Sequence, residues 1–181
     1  MPNRAYIATS LDGYIARTNG DISWLDEIPN PENSDFGYSE FISNIDAIIM
    51  GRNTFEKVLE FDDWPYEQLV FVLSNTLKKV PEYLIDRVEI VSGDLKTILE
   101  DLEKRELKNL YVDGGKTIQS FLKEDLIDEM IITTVPILLG DGIPLFGHLE
   151  RDLKFKCVKV ELMGDLVKHY YERIRVRQLA P

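Results

Sequence analysis

Short apolar runs recur through the middle of the chain, and between them the apolar residues fall at helical spacing. The apolar residues of "DAIIMG" run together rather than alternating, which marks a buried strand, and Leu69–Leu73 and Val88–Val91 read as further strands. Glu129–Val135, stopped by Pro136, is a further strand. "RNTFEKVLEF" reads as a helix. Gly93-Asp94 opens another, Leu95–Arg105, whose Leu95, Ile98, Leu99 and Leu102 share one stripe. Ser34 or Asp35 caps a shorter helix carrying Phe36, Phe41 and Ile42. Near the start, Asp12-Gly13 predicts a hairpin that turns Tyr14–Ala16 back on Tyr6–Ser10. At the far end, alternation over Phe155–Val176, broken at Gly164-Asp165, predicts an antiparallel pair. The sum is one α/β domain over 1–181, with a mostly parallel sheet, antiparallel edges and helices on both faces.

The stretch Asn109–Leu122, "NLYVDGGKTIQSFL", organises the rest. It reads as strand Leu110–Val112, a turn at Gly114-Gly115, and a helix with Ile118, Phe121 and Leu122 on one face. Paired glycines at such a junction let backbone N–H groups approach a ligand that a Cβ would block. The helix start adds free donors and partial positive charge, which suit a phosphate, and Lys116 and Thr117 stand at its mouth. The alternative is a tight connection with no ligand. Neither P-loop nor Rossmann spacing is present.

Two further strand ends carry similar chemistry: Gly51-Arg52-Asn53-Thr54, and Ser74-Asn75-Thr76 with Lys78 and Lys79 beyond. Any one is more often structural than functional. Three together, in a sheet whose ligands gather at the carboxyl ends of parallel strands, point to a dinucleotide with several phosphates.

Charge and composition narrow the partners. A net charge of -11 over 181 residues argues against nucleic acid or an anionic membrane as a partner. No apolar run has transmembrane length and no leader is evident, so a cytoplasmic protein is expected. Cys157, the only cysteine, excludes an intrachain disulfide and a cysteine-rich metal site, and its alternating run reads it as a small core residue. His148 and His169 have no neighbours that make a triad or a metal set, so no metal is expected. Hydride transfer explains such poverty, because the cofactor carries the chemistry.

The ordered set "SLDGYIA", "DAIIMGRNTFE", "LSNT", "YVDGGKTIQSFL" and "LIDEMIITTVPILLGDGIPLFG" resembles the dihydrofolate reductase-like superfamily. Within it, "LIDE" followed by "PILLGDG" is most similar to the reductase domain of bifunctional riboflavin-biosynthesis deaminase–reductases. No deaminase zinc motif accompanies it, so a stand-alone reductase is expected. The resemblance implies NADPH. It assigns the backbones of Ala8 and Ile15 to the nicotinamide carboxamide, and Gly51, Arg52 and Thr54 to the pyrophosphate and adenosine side. Ser74 and Asn75 face the 2′-phosphorylated ribose, and Gly114, Gly115, Lys116 and Thr117 cradle the pyrophosphate.

On the substrate side the pattern weakens. Asp35 stands where dihydrofolate reductases place the carboxylate that supports protonation, and it is equally readable as a helix cap. Trp24 is a substrate neighbour or a core plug, and Asp12 a substrate ligand or a turn residue. The expected activity is NADPH-dependent reduction of a pyrimidine- or pterin-type ring, with dihydrofolate the second choice of substrate. A nucleotide-binding protein that has lost catalysis is the alternative of a different class. Apolar residues on the closing strands, with Ile137-Leu138-Leu139 nearby, also predict a homodimer.

Overall fold

The computed structural model describes residues 2–30 and 33–175. Ten strands, in chain order, are β1 (Asn3–Ser10), β2 (Tyr14–Ala16), β3 (Ala47–Gly51), β4 (Leu69–Leu73), β5 (Val88–Val91), β6 (Leu110–Asp113), β7 (Glu129–Val135), β8 (Ile143–Pro144), β9 (Phe155–Met163) and β10 (Leu166–Arg173). Four α-helices intervene: α1 (Tyr38–Ile42), α2 (Arg52–Val58), α3 (Leu95–Lys104) and α4 (Gly115–Lys123).

Eight strands form one sheet in the order β5-β4-β3-β6-β1-β7-β10-β9. Pairing is parallel from β5 through β7 and antiparallel from β7 through β10 to β9. Strands buried on both faces have no polar side, which is why their runs are continuous: Ala47, Ile48, Ile49 and Met50 are all fully buried. One face packs Ile49, Phe71 and Val112 on α3 and α4. The other packs Ile48, Met50 and Val72 on α1 and α2 through Phe41 and Phe55. This is the expected α/β fold, of the dihydrofolate reductase-like kind.

Several local expectations need correction. The chain does reverse at Asp12-Gly13, where Gly13 takes φ +82° and its N–H reaches the Ser10 carbonyl at 3.0 Å. Yet β2 pairs with β8, not with β1. β7 holds one edge of β1 from Arg4 to Ser10, β6 holds the start of the other, and the turn carries β2 out of the sheet. Cys157 is exposed rather than buried, because β9 is the outermost strand and little covers it. Alternation marks a strand but does not say which faces are covered. Phe36 precedes α1 instead of joining it, with φ +53°. The helix from Arg52 ends at Val58, short of Phe61. Val176, the end of the predicted alternation, lies outside the described residues. Among the described residues no helix is long and apolar enough to cross a membrane, and no group of His, Cys, Asp and Glu could hold a metal ion.

Candidate active site

The site starts from a parting of strands. β1 and β6 pair only at Asn3–Leu110 and Arg4–Tyr111, whereas β1 stays on β7 to Ser10 and β6 stays on β3 to Asp113. Beyond Arg4 the central sheet therefore opens between two strands. The Tyr111 hydroxyl crosses the gap to the Tyr6 carbonyl at 3.1 Å. Backbone polar groups of alternate strand residues point the same way. The N–H and C=O of Ala8 thus share the side of the Tyr6 carbonyl and face the gap with no partner strand.

The three glycine- and hydroxyl-bearing strand ends meet beside this gap, because β4, β3 and β6 are neighbours. A Cβ on Gly51 would stand 3.0 Å from Thr117 Oγ1, and one on Gly115 would stand 2.6 Å from Ile15 Cδ1. At Gly114 the clash would be with Thr54 Oγ1, at 2.2 Å. The glycines therefore let the strand ends and β2 interlock; the space of each missing side chain is filled by protein. Donation to a ligand falls instead to the helix starts. α3 is capped by the Asp94 carboxylate, which accepts from Thr97 N at 3.0 Å. α2 and α4, which open at the cleft, have no side-chain cap. Their first N–H groups are free for an anion.

At the end of β4, Ser74 Oγ accepts from the N–H groups of Thr76 and Leu77 at 3.2 and 2.9 Å. Arg52 reaches over from α2, donating from Nη1 to Thr76 Oγ1 at 3.0 Å while pairing with Glu56 at 3.3 Å. Arg52 and Ser74 thus share one corner, with Asn75 exposed beside them, and Lys116 is exposed at the mouth of α4. The residues assigned to the cofactor lie at the ends of β3, β4 and β6 and on the parted stretch of β1, with Ile15 on β2 beside Gly115, and their donor set fits a dinucleotide.

The substrate candidates are placed differently. Trp24 is buried against Val135 and Leu166, with Ala8 and Phe36 packed on the same cluster. Its indole N–H has no partner among the described residues, and an unpaired buried donor is costly unless something arrives to accept from it. The Asp12 carboxylate accepts from Ser10 Oγ at 2.6 Å and from Leu139 and Gly140 N–H at 3.2 and 2.8 Å. These bonds, the Ser10 hydroxyl first, hold it below the ordinary carboxylate value, and it ties the turn to the loop 136–147. Asp35 is exposed and accepts from Gly37 N and Ser39 N, both at 2.8 Å. Bonds from Ser39 and Gly37 pull its pKa down to about 2. Its geometry is that of a cap, as one of the two readings held.

Two residues escaped the sequence reading. Asp113 ends β6 on the α1 side of the gap and accepts from Gly114 N at 2.8 Å. Burial raises its carboxyl above the ordinary value against the bonds from Gly114 N–H and the Tyr111 hydroxyl. An acidic residue before Gly-Gly, at the end of a buried strand, was the available signal. Lys168, on β10, is 1 % exposed. Its ammonium donates to Tyr6 Oη at 2.9 Å and to the Phe36 carbonyl, which also accepts from Tyr6 Oη at 2.8 Å. Burial pushes the Lys168 ammonium below lysine's ordinary value and the Tyr6 hydroxyl up to about 12.

Comparison with known proteins shows the family and the fold. The structure of a protein from Shewanella sp. PV-4 assigned to riboflavin biosynthesis superposes with a TM-score of 0.94 at 52% identity, covering 97% of this chain and 100% of that one. The uncharacterised protein YwjB of Bacillus subtilis is 35% identical over 93% of this chain and 95% of its own length. The riboflavin biosynthesis protein RibD of Aquifex aeolicus is 28% identical over 65% of this chain, which spans only 34% of that protein. At fold level, dihydrofolate reductase from Enterococcus faecalis matches with a TM-score of 0.63 at 16% identity over 95% of this chain and 96% of that one. The family model of the RibD C-terminal domain matches residues 4–168, and the chain belongs to that family.

Proposed function

We propose that this chain is an NADPH-dependent oxidoreductase that reduces a small pyrimidine- or pterin-type heterocycle. The carrying observation is the union, at one cleft, of a parted strand pair and two uncapped helix starts. NADPH, when bound, supplies a hydride. The Ala8 backbone and Ile15 would hold the carboxamide of its nicotinamide, and the starts of α2 and α4 would hold the pyrophosphate through Gly51, Thr54, Gly114, Gly115, Lys116 and Thr117. Ser74, Asn75 and Arg52 face the 2′-phosphate. A substrate ring held at Ala8 would have the Trp24 indole N–H as the donor nearest to hand, because Ala8 packs on the Trp24 cluster.

A structural neighbour from Thermotoga maritima bears the name of a 5-amino-6-(5-phosphoribosylamino)uracil reductase, and its ring system is the first substrate class to try; dihydrofolate is the second. Loss of NADPH absorbance with each tests the reading, and turnover with neither would overturn it. One observation favours a catalytically silent nucleotide-binding protein instead: the Asp35 carboxylate is committed to capping. Tight NADPH binding with no turnover across pyrimidines, pterins and simple carbonyls would support that second reading.

A further inference from the structure

One buried cation takes no part in holding the cofactor. Lys168 is 1 % exposed, and the carboxylate opposite it on β9 is already taken. That carboxylate, Glu161, pairs with Lys159 at 2.6 Å and accepts from Tyr170 Oη at 2.6 Å. The Asp35 carboxylate is bound to the N–H groups of Gly37 and Ser39. Among the described residues Lys168 forms no ion pair, and its charge rests on two neutral oxygens, Tyr6 Oη at 2.9 Å and the Phe36 carbonyl. A buried ammonium held in this way costs more than an apolar side chain of its size, so folding alone does not account for it.

Both oxygens belong to the substrate end of the site. Lys168 lies opposite Thr133, and Thr133 opposite Ala8, so the lysine and Ala8 stand in one row across three strands. Two residues before the lysine, Leu166 packs with Val135 and Trp24, and Ala8 and Phe36 sit on the same cluster. The segment 34–39 bonds mainly to itself: the Phe36 N–H donates to Ser34 Oγ at 3.0 Å, and Asp35 accepts from Gly37 and Ser39. Among the described residues its polar ties to the sheet are the bonds from Lys168 and Tyr6, both to the Phe36 carbonyl. Phe36 needs them. It takes φ +53°, and a bulky residue keeps a left-handed backbone only where its surroundings hold it there. A Cβ on Gly37 would stand 3.4 Å from Lys168 Nζ, so this turn lies directly on the ammonium.

We propose, resting on the function above, that Lys168 is a positioning residue: by holding the Phe36 carbonyl it fixes Phe36 on the cluster shared by Ala8 and Trp24, and so sets the affinity for the heterocycle but not for the cofactor. With Tyr6 as the one remaining donor, the fold stands but the Phe36 peptide is free to relax from its left-handed conformation.

The test compares Lys168→Met with the wild type on the full chain. Hydrogen exchange reads the amides of 33–39. Fluorescence titration reads NADPH and, on the NADP⁺ complex, 5-amino-6-(5-phosphoribosylamino)uracil and dihydrofolate, and NADPH loss reads turnover. Exchange over 33–39 should quicken about tenfold, and the heterocycle that the wild type binds should be held about tenfold more weakly. NADPH affinity should stay within about twofold, with the thermal midpoint no lower. Lys168→Arg, which keeps the donors, should recover part of the lost affinity. An equal loss for heterocycle and NADPH with a falling midpoint would make the lysine merely structural and overturn the inference. Unchanged heterocycle affinity, or unchanged exchange over 33–39, overturns it as well. Circular dichroism checks folding; if Lys168→Met is unfolded, Tyr6→Phe removes the other donor to the same carbonyl and must give the same pattern more weakly, or the inference falls. Wild-type binding of a heterocycle without turnover overturns the reductase reading, while the affinities still decide the role of Lys168. Binding of neither compound overturns both.

Discussion

The hydroxyl of Thr54, in the first turn of α2, fills the place where a side chain on Gly114 would begin: a Cβ built there stands 2.2 Å from Thr54 Oγ1. Two uncapped helices thus meet at a distance only glycine permits. Gly114 also takes φ +87° with ψ 137°, a conformation that side chains resist at about 1–3 kcal/mol. Gly114→Ala is expected to lower the thermal midpoint and to weaken NADPH at least tenfold, because the α4 start moves. Adding Thr54→Ala should restore only part of the stability, since it relieves the contact and not the backbone strain. Full recovery in the double variant would show that the clash alone matters.

Cofactor choice rests on the corner shared by Arg52 and Ser74. The bond from Arg52 Nη1 to Thr76 Oγ1 holds the guanidinium over the end of β4 rather than over α4. Arg52→Ala is therefore expected to weaken NADPH far more than NADH, by about ten- to a hundred-fold, as a charge-assisted contact to the 2′-phosphate requires. Fluorescence titration of both nucleotides checks it. Equal losses would move Arg52 to the pyrophosphate, and no loss would remove it from the site.

Asp35 separates cap from catalyst by a single atom. Asparagine caps a helix about as well as aspartate but cannot hold an acidic proton. Both Asp35 oxygens accept an N–H at 2.8 Å and an amide can replace only one of them, so Asp35→Asn is expected to keep turnover within a few-fold with a partial fall in thermal midpoint, and Asp35→Ala to show the fuller fall. The folded pKa, about 2, lies below the usual carboxylate value of 3.8. The stability contributed by Asp35 is thus complete above that usual value and is lost as pH falls through about 2. A collapse of kcat in Asp35→Asn out of proportion to its fall in midpoint, at unchanged NADPH affinity in a folded variant, would make the carboxylate catalytic.

Much of the frame was legible, and the reasons are specific. Leu69–Leu73 matches its strand to the residue because a buried strand leaves an uninterrupted apolar run, and Glu129–Val135 does so because Pro136 ends it. What failed is what no local pattern carries. The Asp12-Gly13 pair encodes a reversal, but which strand takes β2 is decided by β8, more than a hundred residues later. Asp12 itself spans that distance, binding the N–H of Gly140. Lys168 reads as a solvent-facing lysine until the Phe36–Gly37 segment closes over it. A hint was present: Leu166 and Tyr170, its neighbours on the same face, are both apolar-bodied.

Lys168 also gives a pH test. Its folded pKa lies below the ordinary 10.5, so the unfolded chain binds the proton more tightly. Stability relative to a Lys168→Met variant should therefore rise as pH climbs from the folded value toward 10.5. Tyrosines with raised pKa values, Tyr6 among them, work the other way above pH 10, so the comparison is read below pH 10. At neutral pH the methionine variant is expected to be no less stable, because Tyr6 Oη keeps its bond to the Phe36 carbonyl at 2.8 Å. Urea midpoints across the alkaline range decide it, and a difference that falls with pH would reverse the sign argued here.

β9 leaves Val158, Val160 and Leu162 exposed, Leu162 at 75 %, on a nine-residue edge strand with no strand beyond it. A long apolar edge invites pairing unless it is covered. We propose that a second copy of the chain covers it. The rival reading, that the chain's own helices absorb these side chains, holds for part of the hairpin. Tyr171 packs against the main core, and Tyr170 is half-buried with its hydroxyl on Glu161. It does not hold for Val158, Val160 and Leu162 of β9, which stay in solvent. Leu138, in the loop toward the same end of the domain, is also exposed, while Ile137 and Leu139 pack around Trp24. Light scattering at micromolar concentration should give about twice 20.9 kDa, and Leu162→Glu with Val160→Lys should return the mass of one chain. A wild-type mass of 20.9 kDa would leave the β9 edge uncovered and defeat the claim.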